Sequence, residues 1–69
     1  MEGHELDKTS GIEAKERIIK ASIELFSQKG YDATRVNDIA SAANVNKAII
    51  YYYFKNKQDI LDFMVRSLL

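Results

Sequence analysis

The chain has no cysteine, no proline and no tryptophan, and only three of its 69 residues are glycine. Without cysteine, neither a disulfide framework nor a zinc-thiolate site can hold the fold together, and the absence fits a reducing, cytoplasmic setting. Without proline, helices can run unbroken, and the prevalence of Ala, Ile, Leu, Lys, Glu and Asp points to an all-helical chain. No apolar run approaches the length of a membrane span, and Met1 is followed by Glu2 where a secretory signal would carry positive charge. The expectation is a soluble, unprocessed protein without a membrane partner. Its length leaves room for one small domain with a single modest core, not for a large active-site cleft.

Catalytic chemistry also lacks its parts. The lone histidine, His4, falls in a polar stretch, and no cysteine or paired carboxylates accompany it. No constellation for acid-base, nucleophilic or metal chemistry results, so neither an enzyme nor a cofactor or metal site is expected. Ten basic and ten acidic residues cancel, yet they are unevenly placed. The start is acidic (Glu2, Glu5, Asp7, Glu13, Glu16), whereas residues 44 to 58 hold Lys47, Lys55 and Lys57 and no acid.

Residues 1 to 11, MEGHELDKTSG, are poor in apolar groups and are expected to form a mobile arm. From Glu13 the spacing becomes helical, with Ile18, Ala21, Ser22, Leu25 and Phe26 on one stripe, widened by Ile19 and Ile23. Gly30 ends this helix as a residue free to take the left-handed conformation. Thr34 is the expected N-cap of a second helix carrying Val36, Ile39, Ala40 and Ala43. Asn44 suits a left-handed turn residue, Val45 is apolar within the turn, and Asn46 can cap a third helix over about Lys47 to Phe54. Helix, short turn, helix is the helix-turn-helix layout. Asn56 and Asp59 then open a fourth helix with Ile60, Leu61, Met64 and Leu68 on its apolar stripe. That helix still runs at Leu69, which suggests that the natural polypeptide continues.

The third helix contains YYYF, and four adjacent rings cannot all face one core. With Ile50 buried, the helical period puts Phe54 on the same side and Tyr53 near its edge. Lys47, Ala48, Tyr51 and Tyr52 are left facing outward. Phenolic hydroxyls can donate to phosphate oxygens, ring edges can meet thymine methyls, and lysines neutralise backbone charge. This combination points to DNA.

The stretch RIIKASIELFSQKGYDATRVNDIASAANVNKAIIYYYFKNKQDIL resembles the DNA-binding domain of the TetR-like (tetracycline repressor family) transcriptional regulators. The resemblance rests on Leu25 and Phe26, Gly30, Thr34, the DIA of Asp38 to Ala40, Tyr51, Phe54, Asn56 and Lys57, in order and spacing, and covers residues 17 to 61. It implies an all-α fold: a three-helix bundle with a homeodomain-like helix-turn-helix over residues 12 to 56. Residues 57 to 69 would begin a fourth helix leading to a C-terminal ligand-binding and dimerisation domain. It implies a repressor that binds double-stranded operator DNA as a homodimer and is released by a small-molecule effector held in that further domain. Carried over by position, Lys47, Ala48, Ile49, Tyr51 and Tyr52 face the major groove, with Tyr53 and Lys57 on phosphates. Thr34, Arg35 and Val36 lie at the backbone where the second helix opens, and Asn46 adjoins the third. Asn44 stands where the family usually has glycine. Ala48 and Ile49 replace a glycine and a small hydroxyl residue, which makes the reading surface more apolar and favours thymine methyls.

Two other readings compete. Ile49, Tyr51 and Tyr52 could form the patch of a helical protein-interaction module, or the tyrosines could stack on single-stranded bases. Salt separates them, because duplex binding weakens steeply with added salt and a hydrophobic interface does not. The 69 residues alone are expected to be monomeric.

Overall fold

The computed structural model describes the backbone of residues 3 to 68 and the side chains of residues 13 to 68. His4 and Leu69 therefore have no described side chain. Four helices follow one another: α1 (Gly3–Lys29), α2 (Val36–Ala43), α3 (Lys47–Tyr53) and α4 (Lys57–Leu68). The described residues contain no strand, as an all-α fold requires. The helix expected from Glu13 continues upstream to Gly3, so most of the segment expected to form a mobile arm is helical. Glycine inside a helix costs roughly 1 kcal/mol against alanine but does not break it, and no proline intervenes.

A single apolar core joins the helices. Ile18 and Ala21 of α1, Ile39, Ala40 and Ala43 of α2, Ile50 and Phe54 at α3, and Ile60 of α4 form it. α1 packs most extensively on α2, where Ala21, Ala40 and Ala43 present only methyl groups and let the backbones approach. Leu25, Phe26, Val45, Ile49, Tyr53 and Met64 are half-buried around this centre. Ser22 is also buried, and its Oγ donates to the Ile18 carbonyl at 2.7 Å, so its hydroxyl is satisfied within the helix. Three residues of the expected apolar stripes lie outside the core, Leu61 among them and half-buried. Ile23 is exposed, and Leu68 is 85% exposed, because no described element covers those sides of α1 and α4.

The connections position the site. Gly30 has φ +89° and its amide donates to the Phe26 carbonyl at 3.0 Å, closing α1 with a left-handed residue. Thr34 departs from its expected role. Its hydroxyl donates back to the Gly30 carbonyl at 2.8 Å and its side chain is fully buried, so it ties the link instead of capping α2. The residue before α2 is Arg35, whose amide donates to the Asp38 carboxylate at 3.0 Å. Between α2 and α3, Asn44 is left-handed (φ 59°, ψ 46°), and the Val45 amide donates to the Ala40 carbonyl at 3.0 Å, a Schellman-type closure. Asn46 caps α3, its Oδ1 accepting from the Ile49 amide at 3.1 Å. Asn56 does the same for α4, accepting from the Asp59 amide at 2.8 Å.

Candidate nucleic-acid interface

α3 has seven residues, about 10 Å of helix, too few to be stable without neighbours. Ile50, 0% exposed, and Phe54, 3% exposed, hold it to the core through one face. The Cα positions of the opposite face are thereby fixed towards solvent. Tyr51 is 49% and Tyr52 79% exposed, and Lys47 and Ala48 beside them are also exposed. Ile49 and Tyr53 lie half-buried at the two borders. The Tyr52 and Tyr53 rings meet edge-on, with centroids 4.9 Å apart and planes at 88°, so each restrains the other. α3 carries no acid in its first turn, and Lys47 and Lys55 bracket it, both exposed.

The start of α2 lies beside this face in the chain order of a helix-turn-helix. Arg35 is exposed and Val36 half-buried. A polar hollow of about 590 Å³ opens at the surface of the α2–α3 turn, lined by Asn37, Ser41, Asn44, Asn46 and Lys47 with Ala40 and Val45. Asn37, Ser41 and Asn44 were not among the residues expected at the site. The signal for them was present: Asn37 and Ser41 are four apart on α2, on the side away from Ile39 and Ala43, and Asn44 follows in the turn.

Three of the residues expected at the interface have partners within the protein. The Thr34 hydroxyl is buried against Gly30. The Asn46 side-chain oxygen is engaged in capping α3, which leaves its amide nitrogen outward. The Lys57 ammonium turns inward onto the carbonyls of Tyr31 and Thr34. The remaining set, Arg35, Val36, Lys47, Ala48, Ile49, Tyr51, Tyr52 and Tyr53, lies on α2 and α3 or at their openings.

Electrostatics near the site are simple. The Arg35 amide, then the Lys29 ammonium, hold the Asp38 carboxyl below its ordinary value of 3.8. Its charge is therefore balanced locally by α1 and by the start of α2. Among the described residues no group of three or more His, Cys, Asp or Glu converges as metal ligands would, and no helix is long and apolar enough to cross a membrane.

A short helix clamped through one face, offered by a left-handed turn from a preceding helix, with lysine and tyrosine outward, defines a helix-turn-helix domain of the DNA-binding kind. The chain belongs to the tetR family of bacterial regulatory proteins, whose family model matches residues 18 to 64. It is 48% identical over 46 residues to the biofilm operon icaADBC HTH-type negative transcriptional regulator IcaR of Staphylococcus epidermidis, covering 67% of this chain and 25% of that protein. Against the regulator of the same name from Staphylococcus aureus it is 46% identical over 52 residues, 75% of this chain and 28% of the relative. The chain thus spans about a quarter of the length of these curated relatives. No solved structure matches it significantly. The family is one of regulators, not of enzymes.

Proposed function

We propose that this domain binds duplex operator DNA by inserting α3 into the major groove. The outward face of α3, with Lys47, Ala48, Tyr51 and Tyr52 exposed while Ile50 and Phe54 fasten the opposite face, carries the reading. Lys47 and Tyr52 contact base edges, with Ala48 and Ile49 supplying apolar surface for thymine methyls. Tyr51 and Tyr53 orient the helix on the sugar-phosphate backbone. Arg35, with Asn37, Ser41 and Asn44 at the rim of the hollow, meets phosphates on the α2 side. In the whole protein this domain serves a cytoplasmic homodimeric repressor, and a small-molecule effector bound by a further domain controls release. The repressor role draws on the staphylococcal relatives, which are negative transcriptional regulators.

The test is a titration of the isotope-labelled chain with duplex DNA. Amide shift changes should cluster at residues 35 to 37 and 44 to 53, and affinity should fall steeply with salt. Changes confined to α1, or binding indifferent to salt, would reject duplex recognition in favour of a protein interface built on Ile49, Tyr51 and Tyr52.

A further inference from the structure

Lys15 of α1 lies among three aromatic rings that come from two other elements. Its Nζ is 4.6 Å from the centroid of Phe63 on α4, 5.8 Å from that of Phe54 and 5.9 Å from that of Tyr53. The face of an aromatic ring is electron-rich and attracts an ammonium within about 6 Å of its centroid, so all three rings are within reach of one charge. Lys15 is half-buried, which reduces the screening of that attraction by water. The rings also meet each other. Phe54 and Phe63 pack edge-on with centroids 5.8 Å apart and planes at 70°, and Tyr53 meets Tyr52 in the same manner at 4.9 Å and 88°. A continuous path of ring contacts therefore leads from the Lys15 ammonium to the most exposed tyrosine of α3.

This path matters because the C-terminal end of α3 has few other supports. Tyr53 is the last residue of the helix, and Phe54 leaves it in an extended conformation (φ −134°, ψ 137°) with its amide on the Ile50 carbonyl at 2.8 Å. That backbone bond fixes where the helix stops but not how the Tyr53 ring is turned. The ring is set by its neighbours, Tyr52 on one side and Lys15 on the other.

We propose that Lys15 is a positioning residue for DNA binding: its ammonium gathers the rings of Tyr53, Phe54 and Phe63, and so sets how Tyr53, and through it Tyr52, is presented to the duplex. The proposal rests on the duplex-DNA reading of α3. It makes a residue 32 positions before Lys47, on a helix outside the helix-turn-helix pair, a determinant of affinity.

The test combines Lys15→Met, which keeps the aliphatic stem and removes the charge, with Lys15→Arg, which keeps the charge, and Phe63→Leu, which removes the nearest ring and leaves Lys15 in place. Phe63 is 38% exposed, so its replacement opens no cavity in the core. In the free protein the Lys15 Hε protons should resonate upfield of an ordinary lysine, under the ring currents, and Phe63→Leu should return them most of the way. Lys15→Met should shift the ring resonances of Tyr53 and Tyr52, and Lys15→Arg should leave them near their parent positions. Duplex affinity should fall about fivefold in Lys15→Met, with Lys15→Arg restoring most of it. Phe63→Leu should also weaken binding, and the double variant should bind no worse than Lys15→Met alone, because both substitutions break one arrangement. Lys15 Hε protons at the ordinary lysine position would overturn the proposal. So would multiplicative losses in the double variant, or a Lys15→Met loss with unmoved tyrosine rings and a salt slope lowered by about one, the behaviour of a charge acting on DNA directly. The resonances are measured without DNA, so they judge the ring cluster by itself. Failure of the unsubstituted chain to bind any duplex would instead reject the DNA reading, and the positioning role with it.

Discussion

The Lys29 ammonium lies 3.1 Å from the Asp38 carboxylate, so the last turn of α1 and the first turn of α2 are joined by an ion pair across the 30 to 35 link. The same carboxylate oxygen accepts from the Arg35 amide at 3.0 Å. One acid thus caps α2 and anchors it to α1. Both groups are solvent-accessible, so the geometry matters more for where α2 begins than for the strength of the pair.

Asp38 supplies a pH dependence with a definite sign. Its carboxyl is held below 3.8 by the Arg35 amide first and Lys29 second. The stability it contributes is therefore present above the ordinary carboxyl value and is lost as pH falls through the lowered folded value. Replacing Asp38→Asn should reduce the urea midpoint at neutral pH and flatten the acid limb of a midpoint-versus-pH plot. An acid limb as steep as that of the parent chain would show that another carboxyl governs it.

Thr34 should behave as a structural residue. Thr34→Val keeps the shape but leaves the Gly30 carbonyl without the hydroxyl donor now 2.8 Å away. Loss of that buried bond should cost about 1 to 3 kcal/mol in denaturant unfolding, with the salt slope of DNA binding unchanged. A normal unfolding midpoint with a lowered salt slope would return Thr34 to the phosphate-contacting set.

These cases mark what a linear reading could and could not reach. Gly30, Asn44, Asn46 and Asn56 were legible because caps and left-handed turns are decided by a few adjacent residues. Ile50, Phe54 and the outward Tyr51 and Tyr52 followed from the helical period once one buried position was chosen. Thr34 and Lys57 were not legible in the same way. Both hydroxyl and ammonium have several partners within reach, and only the folding of α4 against the 31 to 34 turn selects the carbonyls of Tyr31 and Thr34 for Lys57. Ile23 illustrates a third limit: periodicity identifies an apolar face, but whether a neighbour covers its margin depends on the number of elements present.

The exposed face of α3 should prefer thymine-rich sites. Ala48, Ile49 and the rings of Tyr51 and Tyr52 offer apolar contact, and Lys47 is the face's one cation. For a duplex selected from random sequence, replacing each contacted thymine with uracil removes only a 5-methyl group and should weaken binding about fourfold, from roughly 0.8 kcal/mol per buried methyl-sized group. Ile49→Ala should blunt that sensitivity at one position and leave the others intact. Uracil duplexes that bind as tightly as their thymine parents would remove methyl contact from the account.

The 69-residue chain should sediment as a monomer of 7.9 kDa and gain little from a second half-site. A stable interface takes about 800 Å² from each partner, close to a sixth of the 5017 Å² that this chain exposes in total. The exposed apolar groups on α4 are Phe63, Val65 and Leu68, too few to supply such an area. A single α3 meets few bases, whereas paired helix-turn-helix units engage half-sites about 34 to 36 Å apart, or a multiple of that. Tethering makes the second contact intramolecular and can raise avidity by roughly two to four orders of magnitude. Titration of a palindrome should therefore show two independent copies binding with the affinity of a single half-site, and a covalently linked pair should bind far more tightly. Sedimentation equilibrium showing a tight dimer, together with strong full-site enhancement in the unlinked chain, would locate a dimerisation surface within these four helices and refute the monomer.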